Sequence, residues 1–192
     1  LALALNTTAV NNTAVGRDAL TANTTGGSNT AVAMNSLKAN TTGSANTSIG
    51  LSSLGLNTTG VQNTAVGYYA NYGNVSGNYN VTMGMQAGRY TTGSNNVALG
   101  YQSMFGLSGQ SSASNNTAVG YQSLFTNTTG TSLVALGYQA LANNTSASNN
   151  TAVGYNALLS NTTGSENVAI GRLALDANTT ASDNTAIWVF LH

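Results

Sequence analysis

The chain reads as an all-β protein, a parallel β-solenoid (β-roll) of about eleven 17-residue coils, and three observations predict it. The string Asn-Thr-Ala-Val-Gly at Asn12 to Gly16 returns from end to end, its copies beginning at Asn12, Asn29, Asn46, Asn63, Asn80, Asn96, Asn116, Leu133, Asn150, Asn167 and Asn184. The spacings are 17 residues except for one of 16 and one of 20, and a fixed short period marks a repeat architecture. Within each copy, β-branched residues alternate with small ones, as in a strand. Between copies, Gly and Asn landmarks leave no segment of the ~12 residues that a marginal helix needs. Seventeen residues also fall short of the ~40 of a four-stranded propeller blade. One repeat from residue 1 to 192 makes a single elongated domain.

Taking the repeat Asn as position zero, the strand comes first. Position one is Thr or Val throughout, and position three is Val15, Val32, Ile49, Val66, Met83, Leu99, Val119, Leu136, Val153, Ile170 and Ile187. These larger apolar residues are expected to form one buried core column, because burying such a side chain is worth ~1.5 to 3 kcal/mol. Gly follows in nine of eleven copies, with Ala33 and Trp188 as exceptions, and marks a tight bend. Position seven is Ala or Ser in every complete copy and position eight usually Leu or Met, with Asn71 and Gly88 as lapses. This stretch reads as a second short strand. Asn-Thr-Thr-Gly, as at Asn23 to Gly26, then supplies a turn. The 20-residue coil gains its extra residues around Leu107 to Ser114, in a corner, where solenoids tolerate insertions.

The Asn column carries its own expectation. Asn12, Asn29, Asn46, Asn63, Asn80, Asn96, Asn116, Asn150, Asn167 and Asn184 in register would stack into an amide ladder, broken only at Leu133. The alternative, a mere turn residue, would accept Asp, Ser and Gly as well.

Composition excludes several function classes. Four Lys and Arg balance four Asp and Glu, so no basic stripe neutralises phosphates and nucleic acid is not an expected partner. No Cys is present to form disulfides or thiolate metal sites. His192 is the only His, and the scattered acids form no evident pair, so no catalytic, metal or cofactor site is expected. No stretch reaches the ~20 apolar residues of a membrane span. The chain opens at Leu1 without Met, which implies a processed or fragmentary N-terminus.

Two stripes carry what functional signal there is. Tyr68, Tyr101, Tyr121, Tyr138 and Tyr155 recur just after the Gly, beside Gln86, Gln102, Gln122 and Gln139. Such a row suits an interface or a glycan-binding stripe, or is an ordinary cross-strand ladder. At the ends, Leu1, Leu3 and Leu5 and the apolar Trp188, Phe190 and Leu191 suggest that one copy stacks head to tail on the next. Asn-x-Ser/Thr triplets at Asn6, Asn23, Asn40, Asn57, Asn127, Asn161 and Asn178 follow from the composition of the repeat and allow glycosylation.

With Asn-Val-Ala-Leu-Gly (Asn96 to Gly100) and Asn-Val-Ala-Ile-Gly (Asn167 to Gly171) in view, the chain resembles the head repeats of trimeric autotransporter adhesins and is similar to repeats of bacteriophage tail-fibre proteins. The resemblance implies a left-handed coil, lateral packing of three chains, and a place outside the cell or on the cell or virion surface. The reading is a non-enzymatic structural solenoid that builds an extracellular fibre with copies of itself. The rivals are an ice-binding solenoid, which needs the Thr column to face solvent, and a glycan-binding one, which needs the Tyr column to line a groove.

Overall fold

The computed structural model describes residues 1–109 and 111–188, and they form a β-solenoid of about ten turns. Eleven three-residue strands, from β1 (Thr13–Val15) to β11 (Thr185–Ile187), lie in one parallel sheet in strict chain order. Each strand is positions one to three of a repeat. Register follows the repeat, so Thr13 pairs with Thr30 and Val15 with Val32. It survives both odd spacings, since Val81 still faces Val97 and Val97 faces Thr117. The long coil absorbs its extra residues in a corner, because Thr91 bridges Ser111 and the coils realign there.

The expected second strand is instead a run of turns. Position six and position eight both take positive φ, as at Gln122 (50°) and Leu124 (50°), with a small buried residue between them. The coils remain joined there by backbone bonds: Leu124 N–H donates to Ala140 O at 3.0 Å and Thr126 N–H to Ala142 O at 3.0 Å. A left-handed conformation costs a residue with a side chain ~1 to 2 kcal/mol. Burial of the Leu at position eight offsets that, being worth ~1.5 to 3 kcal/mol. Asn71 and Gly88, lapses by hydrophobicity, are residues that this backbone accepts most readily.

The core register is the main correction. Val15, Val32, Ile49, Val66, Met83, Leu99, Val119, Leu136, Val153, Ile170 and Ile187 face outward, half-buried to exposed, with Val15 at 58% and Ile187 at 63%. The inward residue is position two, Ala in most strands and fully buried from Ala31 to Ala169 wherever Ala stands there. It meets the position-eight side chains Leu20, Leu37, Leu54, Met104, Leu124, Leu141 and Leu158, all buried, across a narrow coil. With Leu entering from the opposite wall, only a small residue fits from the sheet. Because side chains alternate across a strand, that choice turns the whole Val/Ile column outward.

Inward polar groups are mostly paired, the buried Nδ2 of Asn71 being an exception. Where Ser48 replaces Ala, its hydroxyl is bonded to Ser36 (2.8 Å) and to Ser53. Where Asn71 and Gly88 replace Leu, the hydrophobic core divides into two clusters, one ending at Ala70 and the other beginning at Ala87.

Candidate functional site

Two Asn ladders hold the corners beside the sheet. In the first, Asn46 Nδ2 donates to Asn29 Oδ1 (3.1 Å) and to Gly60 O (2.8 Å), while its Oδ1 accepts from Asn63 N (3.0 Å) and Asn63 Nδ2 (3.2 Å). The side-chain chain runs Asn29, Asn46, Asn63, Asn80, Asn96 and again Asn150, Asn167, Asn184. Asn12 and Asn116 join through the backbone only: Asn29 N donates to Asn12 Oδ1 (2.8 Å) and Asn116 N to Asn96 Oδ1 (3.1 Å). Leu133 N donates the same bond to Asn116 Oδ1 (2.9 Å), but its side chain passes nothing on.

Sequence reasoning missed the second ladder. The Asn of Asn-Thr-Thr-Gly is not only a turn former: Asn40 Nδ2 donates to Asn23 Oδ1 (2.8 Å) and to Gly43 O (2.9 Å), and the pattern repeats along Asn57 and Asn74. It resumes at Asn127, Asn144, Asn161 and Asn178. Its recurrence as Asn in coil after coil was the available signal. Among the triplets named above, those at Asn23, Asn40, Asn57, Asn127 and Asn161 have their Asn in this ladder with 0 to 2% exposure. Their amides are engaged and out of reach in the folded chain.

Outside, the sheet presents two parallel rows. Position one shows Thr or Val, and position three shows the Val/Ile column, repeated on all eleven strands. Thr13, Thr30, Thr47, Thr64, Thr117, Thr151 and Thr185 therefore face outward, half-buried to exposed. Round the Gly corner from position three lies the tyrosine column. Tyr101, Tyr121, Tyr138 and Tyr155 stack nearly parallel, with centroids 5.3, 5.0 and 5.1 Å apart. Arg172 covers the far face of Tyr155 at 5.7 Å. Tyr68 stands apart, edge-on to Tyr69 at 4.6 Å. Gln102 donates to Gln86 (2.8 Å), Gln122 to Gln102 (2.9 Å) and Gln139 to Gln122 (2.9 Å) alongside. Since the rings cover one another, this stripe offers edges to the outside rather than the ring faces on which a sugar would stack. It lines no groove.

The end residues divide. Leu3 packs against the Leu20 cluster, so it belongs to the core, whereas Leu1, Leu5 and Trp188 are exposed. Phe190 and Leu191 lie outside the described residues.

Electrostatics add little. Asp18 is held below the usual carboxylate range chiefly by a hydrogen bond from the Leu1 amino group (3.2 Å), with Arg17 contributing at 3.7 Å, and it is solvent-exposed enough for this to be a surface pair. Among the described residues no three of the His, Cys, Asp and Glu side chains come together as a metal site, and no helix is long and apolar enough to cross a membrane. No protein-family model, curated protein or solved structure matches the chain.

Proposed function

We propose that this chain is a structural, non-enzymatic β-solenoid that packs side by side with copies of itself to build an extracellular fibre, in an adhesin head or shaft or a phage fibre. The observation that carries the reading is the unbroken outward row of Val, Ile, Leu and Met on eleven in-register strands. At ~4.8 Å per strand the row is about 50 Å long, with the Thr/Val row ~7 Å from it. An apolar strip of several hundred Å² on a soluble surface marks an interaction site. A partner that matches every strand needs the same period. Another copy has it, and symmetric self-association uses one patch for all subunits. The resemblance to adhesin and tail-fibre repeats supports the same reading. Negative-stain micrographs of the purified protein test it: thick rods or fibres containing several chains support it, and isolated single rods at all concentrations overturn it.

One observation favours a second reading. The Thr row faces out on a regular grid, as ice binding requires. Against it, Val81, Val97, Val134 and Val168 interrupt the row and its neighbour is wholly apolar. Measurable thermal hysteresis in the chain would favour ice over a partner chain.

A further inference from the structure

A groove of about 470 Å³ opens on the corner opposite the sheet, near the first coils. It exists because positions nine and ten are Thr21-Ala22, Lys38-Ala39 and Gly55-Leu56 in three successive coils, whereas the coil beginning at Asn63 places Tyr72 at position nine and Tyr69 at position six. The step from non-aromatic to aromatic side chains closes one end of the groove, and Leu5 stands at the other.

The aromatic wall is rigid. The rings of Tyr69 and Tyr72 are 4.8 Å apart, and Arg89, from the next coil, is sandwiched at 4.8 Å from Tyr69 and 4.9 Å from Tyr90. Tyr72 leans over Gly55, where even a Cβ would come within 2.9 Å of its ring. The flank along position six is polar. Ser52 is only 4% exposed, and the carboxamide of Asn35 borders the groove, its Oδ1 buried beneath the surface as it is at the equivalent Asn156. Lys38 is exposed at the mouth, and no acid lines the space.

We propose that this groove is a small-ligand site for a pyranose ring of a glycan, its C–H face against Tyr72 and its hydroxyls toward Asn35, Ser52 and Thr21, with Lys38 favouring a sugar that carries a carboxylate. The volume lies within the ~300 to 1,000 Å³ of ordinary ligand pockets, and an apolar wall with few convergent polar groups is their usual lining. The two-sided lining matches a sugar ring, which is apolar on its faces and polar at its rim. A cationic ligand would meet Lys38 and no counter-charge. The site is independent of the lateral packing face, so either proposal can fail without the other.

The test is methyl NMR on protein labelled at alanine, because Ala22 and Ala39 lie in the groove and report on it directly. Methyl galactoside, methyl N-acetylglucosaminide and galacturonic acid are titrated at millimolar concentration. At least one sugar is expected to shift the Ala22 and Ala39 methyls while leaving Ala140 and Ala157, deep in the distant core, unmoved. Tyr72→Ala is expected to weaken that response at least tenfold, and Ala39→Phe, which fills the groove, to abolish it. Lys38→Gln, an exposed change that keeps the fold, is expected to erase a several-fold preference for the uronic acid. The proposal is overturned if no sugar moves the two methyls, if the response persists in both groove variants, or if hexanoate moves them and the sugars do not. Should Tyr72→Ala unfold, Lys38→Gln and the wild-type methyl shifts still decide.

Discussion

Replacing Asn71 by Leu is expected to stabilise the rod at its weakest coil. Asn71 occupies position eight, where seven other coils place a buried Leu or Met, and it is only 1% exposed. Its Nδ2 is buried with no hydrogen-bond partner, an omission worth ~1 to 3 kcal/mol. Burying a Leu side chain there adds ~1.5 to 3 kcal/mol. Two effects oppose this. Asn tolerates the left-handed backbone (φ 50°) better than Leu, by ~1 kcal/mol. Crowding of the larger side chain against its neighbours costs up to ~1 to 3 kcal/mol. The adjacent Gly88 leaves room, however, and the net gain is expected to be about 1 to 3 kcal/mol. Because a solenoid can unfold coil by coil, the assay is native-state hydrogen exchange at the amides of Ala70, Asn71 and Ala87. Slower exchange at these amides, with little change at Ala152, is the expected result. A loss of more than about 1 kcal/mol of protection would refute the assignment of position eight as a hydrophobic core site at this coil.

Other substitutions probe the rest of the architecture. Asn63→Ala removes an amide that donates to Asn46 Oδ1 (3.2 Å) and Gly77 O (2.8 Å) and accepts from Asn80. It is expected to lower stability to denaturant by about 3 to 5 kcal/mol, since several buried groups lose partners at ~1 to 3 kcal/mol each; a loss under about 1 kcal/mol would mean that the ladder is decorative. Leu124→Ala, at a fully buried site, is expected to cost ~2 to 5 kcal/mol, while Val119→Ala on the outer face costs a single chain less than about 1 kcal/mol in dilute solution. Equal losses would restore the opposite strand register. In a glycosylating host, mass spectrometry is expected to find Asn40 and Asn57 unmodified in folded protein, and full occupancy there would contradict their burial.

Much of the fold was legible because it is periodic. The spacing of the Asn copies located the strand of every coil, though it also suggested a second strand that is a run of turns, and the Asn at position zero foretold a ladder from the absence of Asp, Ser or Gly. The inside of the coil was not legible in the strand alone. Thr-Ala-Val fits either orientation, and the choice depends on what the far wall contributes. Leu at position eight, opposite, leaves space only for Ala. Nor did Leu or Gln announce a left-handed backbone, as Gly and Asn do; Asn71 and Gly88 at position eight and Asn35 and Asn156 at position six were the hints. The second Asn column was hidden because Asn before Thr-Thr-Gly has a sufficient explanation as a turn. For the candidate sites, the tyrosine column was visible as a stripe, but the mutual stacking that removes its ring faces from use is a property of coil spacing and rotamer. The groove was invisible because it is made of what is missing: no aromatic residue at positions nine and ten in three successive coils, beside one tyrosine pair.

The central claim is that the outward Val/Ile row exists to meet another copy, and sedimentation velocity over a concentration series tests it most directly. The wild-type chain is expected to sediment as a complex of two or more copies, and the double variant Val119→Lys, Val153→Lys as a monomer with an unchanged circular dichroism spectrum, because both side chains point away from the core. A wild-type chain that stays monomeric at every concentration, or a folded double variant that associates as the wild type does, would contradict the account.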